Sequence, residues 1–553
     1  VGIPANQGIH DQRLSAFGGR GIIAMFKVFV ADKLAPEGVA ALKQYPQLEI
    51  DFTPGLEVDA ALAHIAEADA VIVRSETKIK GKLLEAAKKL RVVGRAGIGV
   101  DNIDLEASTE RGIVVLNTPD ANATTTAELA IAHLFSLSRA LPEADASVRS
   151  GEWARNRFMG SEVTGKTLGI IGFGTIGRLV AERARGLKLR VLGHDPFVTP
   201  ETFAQHGVEP VALDAMLQDA DYITLHCPMT EDTRNLLNAQ RLRAMKKGAR
   251  LINCARGGLV DEAALLELVA SGHLAGAALD VFEKEPPGAS PLFAEKRIHF
   301  TPHLGASTQE AQTAVGVEIA HQIAAFLIEG QVRNAVNLKS IAPERMTQLA
   351  PYLSLARRLG SLLARMVDGA LTEVELGLYG RAAELEAQPL LSEVVAGLLQ
   401  EHVDTPINRV NAAPLARRQG IKLSEMKCSD CRDYLSVVRV RGRTAGGSVC
   451  LEGTLFDERH PRLVRVNDYE IEAVLEGRLV MTRHADKPGV VGAIGEILGR
   501  QGINISRMQV GAAEGKDRAI AVIGVSQALD VTTLAALSAI EAVDKVLQVN
   551  FGA

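Results

Sequence analysis

Three kinds of side chain in this sequence could oxidise an alcohol together: His303, Arg256, and a carboxylate from the pair Glu283 and Glu285. Imidazole titrates near neutral pH, which suits it to take and return a hydroxyl proton. A carboxylate hydrogen-bonded to that ring would orient it, and on spacing alone Glu283 and Glu285 compete for the task. The planar fork of Arg256 can clamp an acid and polarise the carbonyl beside it. On the plainer reading, His303 is a satisfied core histidine, the acid a solvated loop residue and Arg256 half of a surface ion pair.

Such chemistry needs a hydride acceptor, and a site for one is written upstream. Residues 168–171 read as a buried strand, followed by Gly172, Gly174 and Gly177 in the G-x-G-x-x-G spacing and a helix over 175–186. Gly172 permits the tight turn, Gly174 lets a pyrophosphate approach the backbone, and Gly177 lets helix and strand pack closely. The helix start offers free N–H groups to the phosphates. A second strand over 189–193 leads to Asp195, an acceptor for the adenosine ribose that would repel a 2′-phosphate, so NAD is expected over NADP.

The elements that must position these groups are strands. Residues 222–225 end at His226 and Cys227, 250–253 at Cys254 and Arg256, 277–279 at Asp280, and 298–300 just before His303. Ligands of open α/β sheets lie outside the carboxyl ends of the strands. Register therefore gathers Cys227, Arg256, Asp280 and His303 on one rim.

Length and composition bound the rest. At 553 residues, 47% hydrophobic and 23% charged, the chain is globular and too long for one core. A net charge of -5 gives no sign of nucleic-acid binding, and no apolar run reaches the roughly 20 residues of a membrane span. Five cysteines, at 227, 254, 428, 431 and 450, fit a reducing cytoplasm. Cys428 and Cys431 form a C-x-x-C without a second pair, so no metal is expected.

Before the glycine-rich turn, strands near 71–74, 92–93 and 113–116 alternate with helices near 36–45 and 56–67, the pattern of a parallel sheet. A helix over 308–329 leads to a returning segment, so this first domain reads as 25–121 plus 308–338 with the dinucleotide domain, 122–307, inserted. Residues 1–24 read as a disordered extension, residues 339–475 as a mixed α/β module, and residues 476–553, in the order βαββαβ, as a ferredoxin-like sandwich.

Several stretches resemble the D-2-hydroxyacid dehydrogenases: 92–102, 153–160, 172–177, 253–258, 278–282, 285–287 and 302–308. The last two modules resemble the intervening and ACT domains of that family's long form. The resemblance implies an α/β fold with a Rossmann-type NAD domain inserted in a flavodoxin-like substrate domain, followed by those two modules. It implies oxidation of 3-phospho-D-glycerate to 3-phosphooxypyruvate by NAD, the first step of L-serine biosynthesis. Arg256, Glu285 and His303 match the family's catalytic residues, and the preference for Glu285 over Glu283 rests on that match. Gly172, Gly174, Thr175, Ile176, Gly177, Asp195, Cys227, Cys254, Ala255, Asp280 and Gly305 match NAD-contacting positions, with Arg256 and His303 also at the cofactor. Asp280 would hold the nicotinamide carboxamide. Ile98 stands where some members carry a threonine that touches the cofactor. Arg74, Arg95 and Arg155 match basic positions near the substrate, Arg155 serving the neighbouring subunit of a homo-oligomer. His484, Asp486 and Asn504 match positions that bind an L-serine effector. The competing readings are a glyoxylate or hydroxypyruvate reductase, which the C-terminal modules disfavour, a NAD-sensing scaffold without turnover, and an amino-acid-binding regulator.

Overall fold

The computed structural model describes residues 25–339, 341–400, 407–431, 433–513 and 517–551; the extension expected over 1–24 lies outside them. The first sheet holds five parallel strands, β1 (Phe26–Val30), β2 (Leu48–Phe52), β3 (Ala70–Val73), β4 (Val92–Arg95) and β5 (Val114–Leu116), in the order 2-1-3-4-5. Its central strands are apolar on both faces because helices cover both, and Ala70–Val73 is buried throughout. One covering helix, Gln309–Glu329, comes from far along the chain, after the whole second sheet, and sinks Val315, Ile319 and Ile323 into this core. Its Gly316 lies so close to Gly38 of helix Pro36–Leu42 that a Cβ on Gly38 would fall 2.8 Å from the Gly316 carbonyl carbon. The chain then returns to the sheet: Leu116 bridges Ala335, and Asn337 Oδ1 accepts from Val115 N–H at 2.9 Å. Gln309–Glu329 has the length and mean hydropathy of a membrane span, although polar residues interrupt it, and half of its apolar window is packed inside the protein.

The second sheet has seven parallel strands: β6 (Thr167–Ile171), β7 (Arg190–His194), β8 (Glu209–Pro210), β9 (Tyr222–Leu225), β10 (Arg250–Asn253), β11 (Gly276–Leu279) and β12 (Ile298–Phe300). Their order is β12-β11-β10-β9-β6-β7-β8, so the chain reverses direction between β6 and β9. That reversal opens the crevice in which a doubly wound sheet binds its ligand. Helix Ala123–Arg139 packs Ala127, Ala130 and Leu134 against Leu168 and Ile170 beneath it.

The C-terminal part carries two further sheets. The first runs β14-β13-β15-β16-β17-β18, formed by β13 (Leu371–Gly380), β14 (Lys422–Cys428), β15 (Ser436–Thr444), β16 (Gly447–Phe456), β17 (His460–Val466) and β18 (Tyr469–Val474). The last is the antiparallel sheet β20-β21-β19-β22, from β19 (Arg478–Ala485), β20 (Ile505–Ala512), β21 (Arg518–Val525) and β22 (Val543–Asn550). Helices Val490–Arg500 and Val531–Ser538 cover one of its faces, where Val480 and Ile523 meet Ile494 and Leu498. Its other face, with Leu479, Met481, Ile520 and Val522, shares a single core with Leu355, Leu359 and Leu451 of the preceding module. That module also grips the first sheet: Val410 is buried in the first sheet's core, and Asn408 Nδ2 donates to Gly112 O at 2.7 Å.

Candidate active site

The rim at the carboxyl ends of β6–β12 is built around Asp280. This carboxylate is fully buried after β11 and accepts from Thr301 Oγ1 at 2.6 Å, Leu304 N–H at 2.7 Å and Gly305 N–H at 2.9 Å. It thereby folds the segment after β12 into a tight loop, and His303 sits in that loop with φ 54°. A non-glycine residue in the left-handed region costs energy and persists only where its surroundings fix it; the N–H of His303 is fixed on Asp280 O at 2.9 Å.

The loop aims the imidazole at Glu285. His303 Nδ1 is 2.7 Å from Glu285 Oε2, and Glu285 Oε1 accepts from Phe282 N–H at 3.0 Å. Burial works against ionisation of Glu285, yet the bonds from His303 and the Phe282 N–H, with the nearby charge of Arg256, hold its carboxyl below the usual range. It is Glu285 and not Glu283 that meets the ring. Glu283 is exposed, and its backbone N–H bonds Glu262. With Nδ1 engaged, Nε2 is the ring atom left to exchange a proton.

Arg256 reaches the same place from β10. Gly257 lets its loop pack on the Phe282 backbone, where a Cβ would fall 1.8 Å from Phe282 O. The Arg256 guanidinium crosses to the first lobe and meets Asp101 at 3.0 Å through Nε. Arg74 and Arg95, at the ends of β3 and β4, complete a cationic group. Burial first, then the charges of Arg256 and Arg74, pull the Arg95 guanidinium down to about 10. The Nε atoms of Arg74 and Arg95, Thr118 Oγ1 and Asn122 Oδ1 are buried without partners. Mutually repelling cations, two of them with an unsatisfied Nε, are the makings of an anion pocket.

Arg74 is placed from both sides. Buried Asp32 accepts from Arg74 N–H at 2.6 Å and from Thr77 Oγ1, and Asn102 Nδ2 donates to Arg74 O at 2.8 Å. The sequence reading missed Asp32, Asp101, Thr118 and Asn122. Only Asn122 carried a local signal, an asparagine opening a long helix whose side chain makes no cap bond.

The dinucleotide turn passes a direct test of fit. A Cβ on Gly172 would lie 2.6 Å from the His226 backbone and one on Gly177 2.2 Å from Gly172 O, whereas around Gly174 nothing lies within 4 Å. Two glycines are thus demanded by packing, and the third faces open space where a pyrophosphate can approach. Bonding within helix Thr175–Gly186 starts only at Arg178, whose N–H reaches Gly174 O, which leaves first-turn N–H groups for an anion. Asp195 accepts from Phe173 N–H at 2.8 Å and Phe197 N–H at 2.9 Å, one bond per carboxylate oxygen, with lone pairs remaining for a diol. Thr175 donates to Asp120 at 3.1 Å, Ile176 is half-buried, and Ala255 O accepts from Arg256 Nη1 at 2.7 Å. Gly305 sits over Thr126, whose hydroxyl donates to Gly305 O. Burial pushes the Cys227 thiol up to about 11 and raises that of buried Cys254 further, so both are uncharged wall groups.

Two sets of expected residues are not brought together. Arg155 lies on the exposed one-turn helix Arg155–Phe158 beside Trp153 and Met159, also exposed, and is not among the side chains gathered at the rim. His484 and Asp486 stand at the Arg518 end of the last sheet, while Asn504 precedes Ile505, which pairs with Val525 at the opposite end. The antiparallel register thus separates them by about seven residues, roughly 23 Å at 3.3 Å per residue, within one chain. His484 itself is buried with Nε2 unpartnered. Among the described residues no group of His, Cys, Asp and Glu could hold a metal ion.

Comparison with known proteins agrees with this geometry. The family profile described as D-isomer specific 2-hydroxyacid dehydrogenase, NAD binding domain, matches residues 131–305. The D-3-phosphoglycerate dehydrogenase intervening domain matches 348–467, and the ACT domain 478–542. A D-3-phosphoglycerate dehydrogenase of Synechocystis is 40% identical over 88% of this chain and 88% of its own length. Another, of Bacillus subtilis, is 39% identical over 92% of this chain and 96% of its own length. Among solved structures, a glyoxylate reductase from Paecilomyes thermophila is 28% identical, with a TM-score of 0.52, over 56% of this chain and 98% of its own. The chain is an NAD-binding oxidoreductase that belongs to the D-3-phosphoglycerate dehydrogenases within the D-2-hydroxyacid dehydrogenase family.

Proposed function

We propose that the protein oxidises 3-phospho-D-glycerate to 3-phosphooxypyruvate, the first step of L-serine biosynthesis. One observation carries the reading: an imidazole–carboxylate couple at 2.7 Å and a group of three arginines share one cleft. When bound, NAD supplies the hydride acceptor. His303 Nε2 takes the C2 hydroxyl proton as the C2 hydrogen departs with its electron pair. Glu285, ionised and bonded to Nδ1, stabilises the imidazolium that results. Arg256 holds the substrate carboxylate and polarises the forming carbonyl. Arg74 and Arg95 answer the phosphate, the charge that separates this substrate from lactate and glycerate. Asp280 fixes the His303 loop and has a lone pair on Oδ2 for the carboxamide.

The separation of Arg155 and of Asn504 from their expected partners supports a homo-oligomer. In such an assembly Arg155 serves a neighbour's cleft, and His484 and Asp486 meet Asn504 of a second copy around an L-serine effector. The test is NADH formation with 3-phosphoglycerate, glycerate and lactate. Equal rates on all three would overturn the substrate assignment.

The rival reductase reading leaves unexplained why the match to the glyoxylate reductase stops at 56% of this chain. Calorimetry with L-serine, read beside inhibition, tests the effector.

A further inference from the structure

Arg256 is aimed by the opposite lobe. Its own loop offers the side chain one acceptor, Ala255 O, at 2.7 Å from Nη1. The other two nitrogens lie on the segment between β4 and the helix Leu105–Glu110. Nε donates to Asp101 Oδ2 at 3.0 Å, and Nη2 rests over Gly99, where a Cβ would be 1.9 Å away. That segment is itself tied down: Gly97 O accepts from Thr118 N–H at 3.1 Å, Ile98 O from Asn117 Nδ2 at 2.7 Å, and Asn102 Nδ2 donates to both Arg74 O and Thr77 O.

We infer that Gly99 and Asp101 form a seat for Arg256, positioning its guanidinium across the cleft and leaving the Nη edge as the face offered to the substrate carboxylate. The inference rests on reading Arg256 as the carboxylate grip. The Asp101 side chain is 71% exposed, and ion pairs that open to water add little to stability, so the pair's value lies in geometry. Arg256 carries five N–H donors in a rigid fork. With Nε held by Asp101 and one Nη1 hydrogen on Ala255 O, the donors that remain point from the Nη end. The seat also couples the lobes, because the guanidinium reaches its working position only while residues 97–102 stand over it. Gly99 lies outside the left-handed region. An alanine there meets no left-handed backbone penalty; its Cβ would press on the Arg256 guanidinium and lie 3.1 Å from Asp101 Oδ2, the two partners of the seat.

The test uses the full-length protein with Gly99→Ala, Asp101→Asn and Asp101→Glu. In Gly99→Ala and Asp101→Asn, KM for 3-phosphoglycerate is expected to rise and kcat/KM to fall by about tenfold or more, as displacement of a positioning group does. KM for NAD, Tm and the pH profile of kcat/KM should stay at wild-type values, and Asp101→Glu should recover part of the loss. Wild-type kcat/KM in both first variants would overturn the seat. So would parallel losses of Tm and NAD affinity, which would make the loop a structural element only. Should the wild-type protein prefer another 2-hydroxy acid, the same ratios are read with that acid, so a failed substrate assignment and a failed seat give different results.

Discussion

His303 Nδ1 stands 2.7 Å from Glu285 Oε2 although the two residues belong to different loops, one following β11 and the other following β12. Both loops hang from Asp280, which follows β11 and accepts the backbone N–H groups of Leu304 and Gly305. The couple is therefore set by a buried residue that touches neither ring nor Glu285 carboxylate.

Glu285→Gln keeps the shape and removes the charge that stabilises a protonated ring. We expect kcat to fall about 10²-fold or more with KM for NAD unchanged, measured by steady-state NADH formation.

The same carboxylate gives a pH dependence of stability. Its folded-state pKa is lowered, so the stabilisation it brings is fully present above the ordinary carboxylate value and is lost as pH falls through the lower folded value. Below about pH 4.5 the wild-type protein should lose Tm faster than Glu285→Gln, whose curve lacks this titration. Thermal melts between pH 3 and 7 would show the two curves converging as the pH falls.

Asp195→Ala removes the acceptor that bridges Phe173 N–H and Phe197 N–H at the end of β7. KM for NAD should rise about tenfold, and discrimination against NADP should shrink, since the repelling charge is gone. Parallel titrations with the two cofactors measure the ratio.

Gly38→Ala addresses packing alone. Its new Cβ would press on the Gly316 backbone at 2.8 Å, and backbone does not swing aside as a side chain does. A loss of about 1–3 kcal/mol is expected, read by urea denaturation, with KM values intact in the folded fraction.

Arg256→Lys keeps the charge and loses the fork. A fall of about 10²-fold in kcat/KM for 3-phosphoglycerate is expected, because a point charge cannot satisfy Asp101, Ala255 O and a bidentate acid together.

Much of this site was legible in the chain. Strand-end register placed Arg256, Asp280 and His303 on one rim because parallel strands all present their carboxyl ends to the same side. The glycine turn was legible because each glycine has its own steric demand. The choice between Glu283 and Glu285 was not, since two residues of separation in a loop carry no periodicity to say which side chain turns inward. Asp101 and Asp32 escaped because their partners, Arg256 and Arg74, lie 155 and 42 residues away. The grip of Asn408 on Gly112, across 296 residues, is set by tertiary docking that no local pattern encodes.

The apolar underside of the last sheet has a practical consequence. Leu479, Met481, Ile520 and Val522 have no core of their own on that side; they complete the one begun by Leu355 and Leu451. A cut in the linker near 476 would leave two half-walls, each with greasy surface open to water and prone to clump. The two terminal modules should therefore be purified and swapped as one piece, and a chimera that exchanges the last sheet must bring its matching helix and strands along.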